Sequence, residues 1–332
     1  MHTVADDLFP FYRTIDLQMV SEDKSYTTSG EPLFYLYPLR FDNRILYQTN
    51  DGGGRTYMGR KESLTKAVDV CKEIGDGWRL PNVSELLMSY VYTDALGGNA
   101  NGGGDEMGQN IYGWYQNWTG DYWSSSYYTA AADSYFRLEF SSGFLGTTPV
   151  GNDNYFRCVR DNTYSGKKYP YLDVTSSGVT IVSREGGVGT DTSVLLASGE
   201  TPDTSEAMNK VAPKLLIENT SGTGKSWEDA NAACVAKGDG WRLPTQREMF
   251  LLLSLGGSTV EMENQGFGSS MDWGSDFQKI DAVHWTLTGR NVDEFWLVGY
   301  TWVPERNRGE FGAWSQDKTV TWAKYRCVKS VS

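Results

Sequence analysis

The chain has 332 residues, of which 39% are hydrophobic and 14% aromatic, so it can bury a core and is not expected to be disordered. Its formal net charge of −12 argues against nucleic acid or an anionic membrane surface as the main partner. No apolar stretch reaches about 18 residues, so no segment is expected to insert into a membrane.

The most informative sequence feature is the phrase GDGWRLP, which occurs at 75–81 and again at 238–244. Residues on both sides of the phrase also match at nearly the same spacing. The matched sets are Cys71 with Cys234, Tyr122-Trp123-Ser124 with His284-Trp285-Thr286, and Arg157-Cys158-Val159 with Arg326-Cys327-Val328. A repeat of this length indicates a duplicated domain, because solenoid repeats are much shorter. The sequence therefore predicts two modules, 1–161 and 162–332.

The first module, with a repeated core at about 45–161 behind an N-terminal extension, is predicted to contain two helices and then strands. One helix is expected at 63–74, where a glycine follows. Asn82 and Glu85 have the spacing of a capping box, which predicts the start of a second helix. Residues 134–140 alternate between apolar and polar side chains, a pattern typical of a strand.

The second module begins with a lead-in at 162–211 and has its repeated core at about 212–330. Within the lead-in, residues 170–184 show an alternating pattern that predicts strands. Residues 185–210 are rich in Gly, Ser, Thr and Asp, which predicts a loop or linker. Residues 215–217 form an apolar run that predicts a further strand.

Two helices and two strands are predicted in this second core. Ser226 is a favourable N-cap for one helix. Thr245 begins a capping box for the next helix. Strands are expected at 294–303 and at 319–328, with a turn at 306–309.

The repeated phrase can be explained by structure alone. Trp78 and Trp241 are expected to anchor the connection between the two helices in each core. Arg79 and Arg242 are expected to bond to carbonyl groups or to a carboxylate. No ligand is needed to account for these residues.

Three motifs occur in order in the first half: WRLP at 78–81, YWSSS at 122–126 and RCVR at 157–160. The second half keeps WRLPT at 241–245 and RCVK at 326–329. This order resembles the bacterial DUF1566 domain, the C-terminal domain type of the Legionella collagen-like adhesin, which has a C-type-lectin-like fold. The resemblance implies an α+β protein of two tandem C-type-lectin-like modules. Each module would have two helices and a small twisted antiparallel sheet with long loops.

The four cysteines form no CxxC pair, so their pairing stays open at the level of the residues. In the fold that the resemblance implies, a disulfide often joins the first helix to the last strand, which implies Cys71–Cys158 and Cys234–Cys327. The alternative is four buried free thiols in a cytosolic protein. Disulfides favour a compartment outside the cytosol. We therefore expect a secreted or cell-surface protein whose signal peptide is absent from this sequence.

No catalytic residues are predicted. Residues 222–226 look like the end of a phosphate-binding loop, but Asn219 stands where that motif requires a glycine. The two histidines are His2 and His284, and His284 occupies a core position that corresponds to Tyr122. A Ser-His-Asp triad is therefore not expected.

No cofactor is predicted, and with two histidines and no CxxC pair no metal site is predicted either. Calcium is the one ion that a lectin-like fold suggests, and residues 152–154 (Asn-Asp-Asn) offer oxygen ligands. The usual calcium-binding signatures of lectins (Glu-Pro-Asn, Gln-Pro-Asp and Trp-Asn-Asp) are absent. A turn rich in residues that tolerate left-handed backbone explains the stretch better.

What remains is a set of Tyr, Trp, Arg, Asn and Asp side chains in predicted loops and strand edges, the residue types that dominate binding surfaces. The candidate ligand-binding residues are Tyr127, Tyr128, Asp133, Tyr135, Arg137, Asn152, Asp153, Trp302, Arg306, Arg308, Trp314, Asp317 and Trp322.

The expected function is non-catalytic extracellular recognition, that is, adhesion to a glycan or to a host or cell-surface protein. One alternative is a relative of the formylglycine-generating, sulfatase-modifying enzymes, which share the broad fold and an RLP-x-x-x-E phrase echoed at 79–85 and 242–248. Those enzymes use redox-active cysteines. A second alternative is a structural spacer in a pilus or another surface assembly.

Overall fold

A computed structural model describes the chain in segments. These are residues 15–16, 31–32, 34–36, 47–48, 55–56, 61–73, 75, 77–91, 120–128, 132–163, 165–166, 168–175, 178–182, 211–212, 214–256, 277–303 and 308–331. For the strand residues of 15–56, for 169 and for 301–311, the description covers the backbone only. The predicted linker at 185–210 lies outside the described residues.

The chain divides into two compact units. Unit 1 comprises residues 1–142 and 147–168, and unit 2 comprises residues 143–146 and 169–332. Both combine helices with antiparallel strands, so the predicted α+β class is confirmed. No helix in the described segments is long and apolar enough to cross a membrane.

Unit 1 has two described helices, α1 (Leu64–Glu73) and α2 (Val83–Val91). Helix α2 starts as the sequence predicts: the Glu85 amide donates to Asn82 Oδ1 at 2.8 Å, and the Asn82 amide donates to Glu85 Oε2 at 2.9 Å. This reciprocal cap satisfies two amides that a helix start leaves open.

Short strands occupy the beginning of unit 1, and a larger sheet follows the helices. The strands between residues 15 and 169 are β1 (Ile15–Asp16), β2 (Glu31–Pro32), β3 (Phe34–Leu36), β4 (Tyr47–Gln48), β5 (Arg55–Thr56), β6 (Asp121–Tyr127), β7 (Ser134–Glu139), β8 (Phe144–Pro149), β9 (Val159–Asp161) and β10 (Lys168–Tyr169), and residues 144–146 and 169 among them are assigned to unit 2. Strands β8, β7 and β6 are neighbours in that order. The predicted strand at 134–140 is confirmed as β7, and Phe136 and Leu138 lie on its buried face.

Unit 2 has helices α3 (Trp227–Val235) and α4 (Gln246–Ser254). Both predicted caps are present: Ser226 accepts from the Asp229 amide, and Thr245 forms a capping box with Glu248. The sequence predicts these caps correctly because a cap depends only on neighbours within one helical turn.

The described residues of unit 2 also form eight strands. They are β11 (Tyr171–Thr175), β12 (Gly178–Val182), β13 (Lys214–Ile217), β14 (Trp241–Arg242), β15 (Val283–Gly289), β16 (Glu294–Val303), β17 (Arg308–Asp317) and β18 (Val328–Ser330). One antiparallel sheet has the order β11-β12-β13-β18-β14. Strands β15, β16 and β17 pair antiparallel in sequence order.

The predicted strand at 319–328 is wrong. The strand that pairs with β16 is β17, which ends at Asp317, and the next begins only at Val328. Between them Ala323, Arg326 and Cys327 are buried, and Ala323 and Cys327 pack into the core without belonging to a strand. The predicted turn at 306–309 is also wrong in part, since 308 and 309 belong to β17.

The repeated sequence produces repeated contacts. Trp123 Nε1 donates to the Glu62 carbonyl at 2.7 Å, and Trp285 Nε1 donates to the Lys225 carbonyl at 2.8 Å. Each tryptophan is completely buried. Its ring joins the strand to the loop before the first helix, so the two units share the same internal connection.

Each unit also has one disulfide, Cys71–Cys158 in unit 1 and Cys234–Cys327 in unit 2. The first cysteine of each pair lies in the first helix of its unit, and the second directly precedes the last strand of the repeated core. All four cysteines are fully buried. The pairing that the family resemblance implies is therefore present.

Candidate recognition surfaces and a buried serine–histidine cluster

The arginine of the repeated phrase forms a structural ion pair with a glutamate of the second helix in each unit. In unit 2, Arg242 Nη1 and Nη2 donate to the two carboxylate oxygens of Glu248 at 2.6 and 2.7 Å, and both side chains are buried. In unit 1, Arg79 makes the same bidentate pair with Glu85 and also pairs with Asp161. The bond to Glu85 raises the pKa of Arg79 above its usual range. Both arginines therefore have a structural partner in the second helix.

The predicted surface of unit 1 contains two contacting tyrosines. Tyr127, at the end of β6, is 41% exposed. It lies opposite Tyr135 of β7, and the two rings meet edge to face with their centroids 5.3 Å apart. Tyr135 is half-buried and packs against the core of unit 1, so it supports the exposed ring.

Two polar loops meet beside these tyrosines. The Asp133 carbonyl accepts a hydrogen bond from the Val150 amide at 2.7 Å, which joins the start of β7 to the loop after β8. Asp133 is exposed and has φ +53°, a left-handed conformation that aspartate tolerates. Asn152 is exposed and donates from Nδ2 to Thr148 Oγ1 at 2.7 Å.

Two other candidate residues of unit 1 make contacts within the protein instead of facing a ligand. Tyr128 does not lie on the surface: it is 2% exposed, and its ring meets Phe136 edge to face at 5.4 Å. Consecutive strand residues face opposite sides, so Tyr127 and Tyr128 cannot both point to solvent. Arg137 is half-buried and forms an ion pair with Asp121. Burial lowers the pKa of Arg137.

Two predicted aromatic residues of unit 2 have described side chains, and one of them is exposed. Trp322 is 51% exposed, whereas Trp314 is half-buried and packs against the core. Asp317 is exposed and accepts from the Thr319 amide at 2.8 Å and from its hydroxyl at 2.6 Å, which lowers the pKa of Asp317. Trp302 and Arg308 are described only as backbone in β16 and β17, and Arg306 lies outside the described residues.

The loop that carries Trp322 is held by the Gly-Thr-Gly-Lys-Ser stretch at 222–226. The Gly222 amide donates to the Tyr325 carbonyl at 2.8 Å, and the Lys225 amide donates to the Ala323 carbonyl at 3.1 Å. A Cβ on Gly224 would lie 2.5 Å from the Thr321 carbonyl oxygen, so only glycine allows this approach. The apparent phosphate-loop motif thus serves as a support for Trp322.

Sequence reasoning missed a cluster in the core of unit 2. Ser221 Oγ lies 2.7 Å from His284 Nε2, and His284 Nδ1 lies 2.8 Å from the Ala282 carbonyl oxygen. Arg326 donates to the same Ser221 oxygen from Nε at 3.2 Å and from Nη2 at 2.8 Å. His284 and Arg326 are fully buried.

The electrostatics of this cluster differ from those of its counterpart in unit 1. Burial, reinforced by the charge of Arg326, lowers the pKa of His284 to about 3. Burial lowers the pKa of Arg326 to about 10. In unit 1 the corresponding pair is Tyr122 and Arg157, where burial raises the pKa of Tyr122 to about 12. The signal in the sequence was the exchange of tyrosine for histidine beside a retained arginine.

The described residues contain no group of three or more His, Cys, Asp or Glu side chains arranged for a metal ion. In the 152–154 stretch considered for calcium, Asn152 and Asp153 are exposed. The backbone of Asn154 exchanges two hydrogen bonds with Glu62, at 2.9 and 3.1 Å. The stretch therefore ends by joining the loop before α1.

All four cysteines are bonded in disulfides, so none is a free thiol. No protein-family model matches the chain. No curated protein matches it in sequence.

Proposed function

We propose that the protein is an extracellular recognition protein that binds a glycan or protein ligand, without chemical change to that ligand, through the exposed rings of Tyr127 and Trp322. The observation that carries the proposal is the solvent-exposed aromatic ring that each unit presents among its described residues, set on a frame closed by a disulfide. Tyrosine and tryptophan offer a large rigid contact area and a polar atom, which is why they dominate binding hot spots.

The frame supports recognition because it limits the entropy that binding would cost. Tyr127 rests against the half-buried Tyr135, and the backbone that carries Trp322 is bonded to 222–225. A ring held in one place loses little freedom when a ligand covers it. The two exposed rings differ, a phenol in unit 1 and an indole in unit 2, so we propose that the units bind different ligands or different parts of one ligand.

The proposed location is outside the cytosol, secreted or on the cell surface, where disulfides persist. Two disulfides among the described residues are consistent with an extracellular protein. Adhesion within a pilus or another surface assembly follows from the family resemblance and is part of the same proposal.

Binding to immobilised glycans and to extracellular matrix proteins tests this function. Tyr127→Ala and Trp322→Ala are each expected to weaken binding of the cognate ligand about tenfold or more, the usual effect of removing a hot-spot residue. Tyr127→Phe and Trp322→Phe should retain most of the affinity because the ring remains.

Two other exposed apolar residues provide matched controls. Val174 is 44% exposed and Val292 is 48% exposed, close to the values for Tyr127 and Trp322. Val174→Ala and Val292→Ala should leave binding unchanged. Equal binding by the wild type, Tyr127→Ala and Trp322→Ala proteins would refute the proposed surfaces.

A further inference from the structure

The serine–histidine cluster of unit 2 has the arrangement that activates a nucleophile. A nucleophilic hydroxyl requires a base within hydrogen-bond reach and a third group that orients the base. Ser221, His284 and the Ala282 carbonyl meet these requirements at 2.7 and 2.8 Å.

The hydrogen-bond partners fix the tautomer of His284. The Ala282 carbonyl can only accept, so Nδ1 of the neutral ring carries the proton and Nε2 has a free lone pair. Arginine can only donate, so Ser221 Oγ accepts from Arg326 and its own hydroxyl proton points to His284 Nε2. The proton thus already lies on the path from the serine to its base.

Arg326 supplies a positive charge, which can stabilise the negative charge that forms when a serine attacks a carbonyl group. It is fully buried, and it forms no ion pair within the described residues. Its Nη2 also donates to the Gln278 carbonyl at 2.6 Å, while its buried Nη1 has no acceptor in the described part of the chain. A buried guanidinium N–H without an acceptor is costly, unless an oxygen of a ligand or transition state accepts from it.

The serine is the solvent-facing end of the cluster. Ser221 is half-buried between exposed Thr220 and a loop that includes exposed Thr223. Its amide donates to Oε1 of Gln278 at 3.1 Å, and Gln278 is itself exposed. A small acyl group would therefore have to reach Ser221 from the Gln278 side, because the histidine and arginine are buried.

We propose that Ser221 is a nucleophile that accepts a small acyl group from an ester, with His284 as the base and Arg326 as the donor to the oxyanion. Ser221 Oγ bonds to the carbonyl carbon, giving up the longer of its two bonds from Arg326, and its proton passes to His284 Nε2. The carbonyl oxygen gains the negative charge and accepts from Arg326 Nη1. When the ester C–O bond breaks, His284 returns the proton to the leaving alcohol.

Water completes the reaction by the same path. His284 takes a proton from the water molecule as its oxygen attacks the acyl-serine, and the proton returns to Ser221 when the acid leaves. Burial lowers the pKa of His284 and keeps its ring neutral, and the positive charge of Arg326 acts in the same direction. As the oxyanion forms, its charge offsets that of Arg326 and makes the histidine a stronger base.

Labelling with a fluorophosphonate probe tests the proposal on the full, oxidised chain. Mass spectrometry is expected to find one adduct, on Ser221, and Ser221→Ala should abolish it. Thr223→Ala, a change to an exposed neighbour in the same loop, should label at the wild-type rate. His284→Tyr, which installs the residue of unit 1, should label at least about 100-fold more slowly, because a positioned base contributes roughly that much.

The pH profile separates this role from a structural one. The labelling rate should stay level from pH 8 down to about pH 4, because the pKa of His284 is about 3 rather than its usual 6.5. His284→Gln provides a second variant if His284→Tyr fails to show the near-UV circular dichroism of the wild type. No adduct on Ser221 in the folded wild type, or wild-type rates in both histidine variants, would show that the cluster is structural only. Ligand binding through Tyr127 and Trp322 is measured separately, so either proposal can fail alone.

Discussion

Tyr122 and His284 occupy corresponding positions beside a buried arginine, but burial acts on their pKa values in opposite directions. A phenol is neutral when protonated, so burial raises the pKa of Tyr122 to about 12. An imidazole is neutral when deprotonated, so burial and Arg326 lower the pKa of His284 to about 3. Of these two residues, therefore, His284 is the one whose protonation is coupled to folding between pH 3 and pH 7.

The sign of the coupling predicts acid lability in unit 2. Unfolded histidine has a pKa of about 6.5, so the contribution of neutral His284 is complete above that pH and is lost as the pH falls toward 3. The loss should reach about 2 kcal/mol by about pH 5. Urea denaturation at a series of pH values measures it.

His284→Tyr is the control for this experiment, because carboxylates also titrate in acid. The difference in unfolding free energy between wild type and variant should change with pH between about 6.5 and 4 and stay constant above about pH 7. Parallel pH profiles for the two proteins would contradict the prediction.

At the scale of elements, the connection from the repeated phrase to the second helix is the same in both units but differs in exposure. The side chains of Arg242 and Glu248 are 1% and 0% exposed, whereas those of Arg79 and Glu85 are 38% and 12% exposed. Removing one partner of a buried ion pair leaves a charge without compensation, whereas solvent screens an exposed charge.

Glu248→Gln is therefore expected to lower the unfolding free energy by about 3 kcal/mol, and Glu85→Gln by about 1 kcal/mol. Both glutamates also cap a helix, so the cap is altered equally in both variants. The difference between the variants then reports burial together with the remaining partners, since Arg79 keeps Asp161 and Glu248 also accepts from the Ala212 amide. Chemical denaturation followed by tryptophan fluorescence measures it, and equal losses would contradict the prediction.

The elements that the sequence predicted well are the ones that local chemistry determines. The starts of α2, α3 and α4 follow from a cap residue and a partner three positions later. Strand partners depend on residues far away in the chain, and this is why the strand predicted at 319–328 was wrong.

The candidate sites follow the same rule. Exposure of Tyr127 and Trp322 was predicted from composition, since tyrosine and tryptophan in loops often reach solvent. The Ser221–His284–Arg326 cluster joins three segments that are far apart in sequence. No local pattern could place these side chains together, and only the exchange of Tyr122 for His284 pointed to a difference.

At the scale of the whole molecule, one disulfide in each unit joins the first helix to the end of the core. The bonded cysteines are 87 and 93 residues apart in sequence, so the two bridges restrict the unfolded chain to nearly the same extent. We expect the double variants Cys71→Ala/Cys158→Ala and Cys234→Ala/Cys327→Ala each to lose about 4 kcal/mol of stability.

Thiol titration and urea denaturation check this prediction. Because the four cysteines are fully buried, the oxidised protein should show no reactive thiol under native conditions and should resist mild reductant until denaturant is added. Four titratable thiols in denatured protein from an oxidising preparation would contradict both bridges.

The bridges also determine how the chain responds to mechanical load. A force that pulls on the two ends passes through each sulfur–sulfur bond and bypasses the residues between the bonded cysteines. Without its bridge, the 87-residue stretch of unit 1 would add about 300 Å of length when stretched. Tyr127 lies within one bypassed stretch and Trp322 within the other. Tension along the chain therefore cannot fully extend the segments that carry the exposed aromatic rings while the bridges are intact.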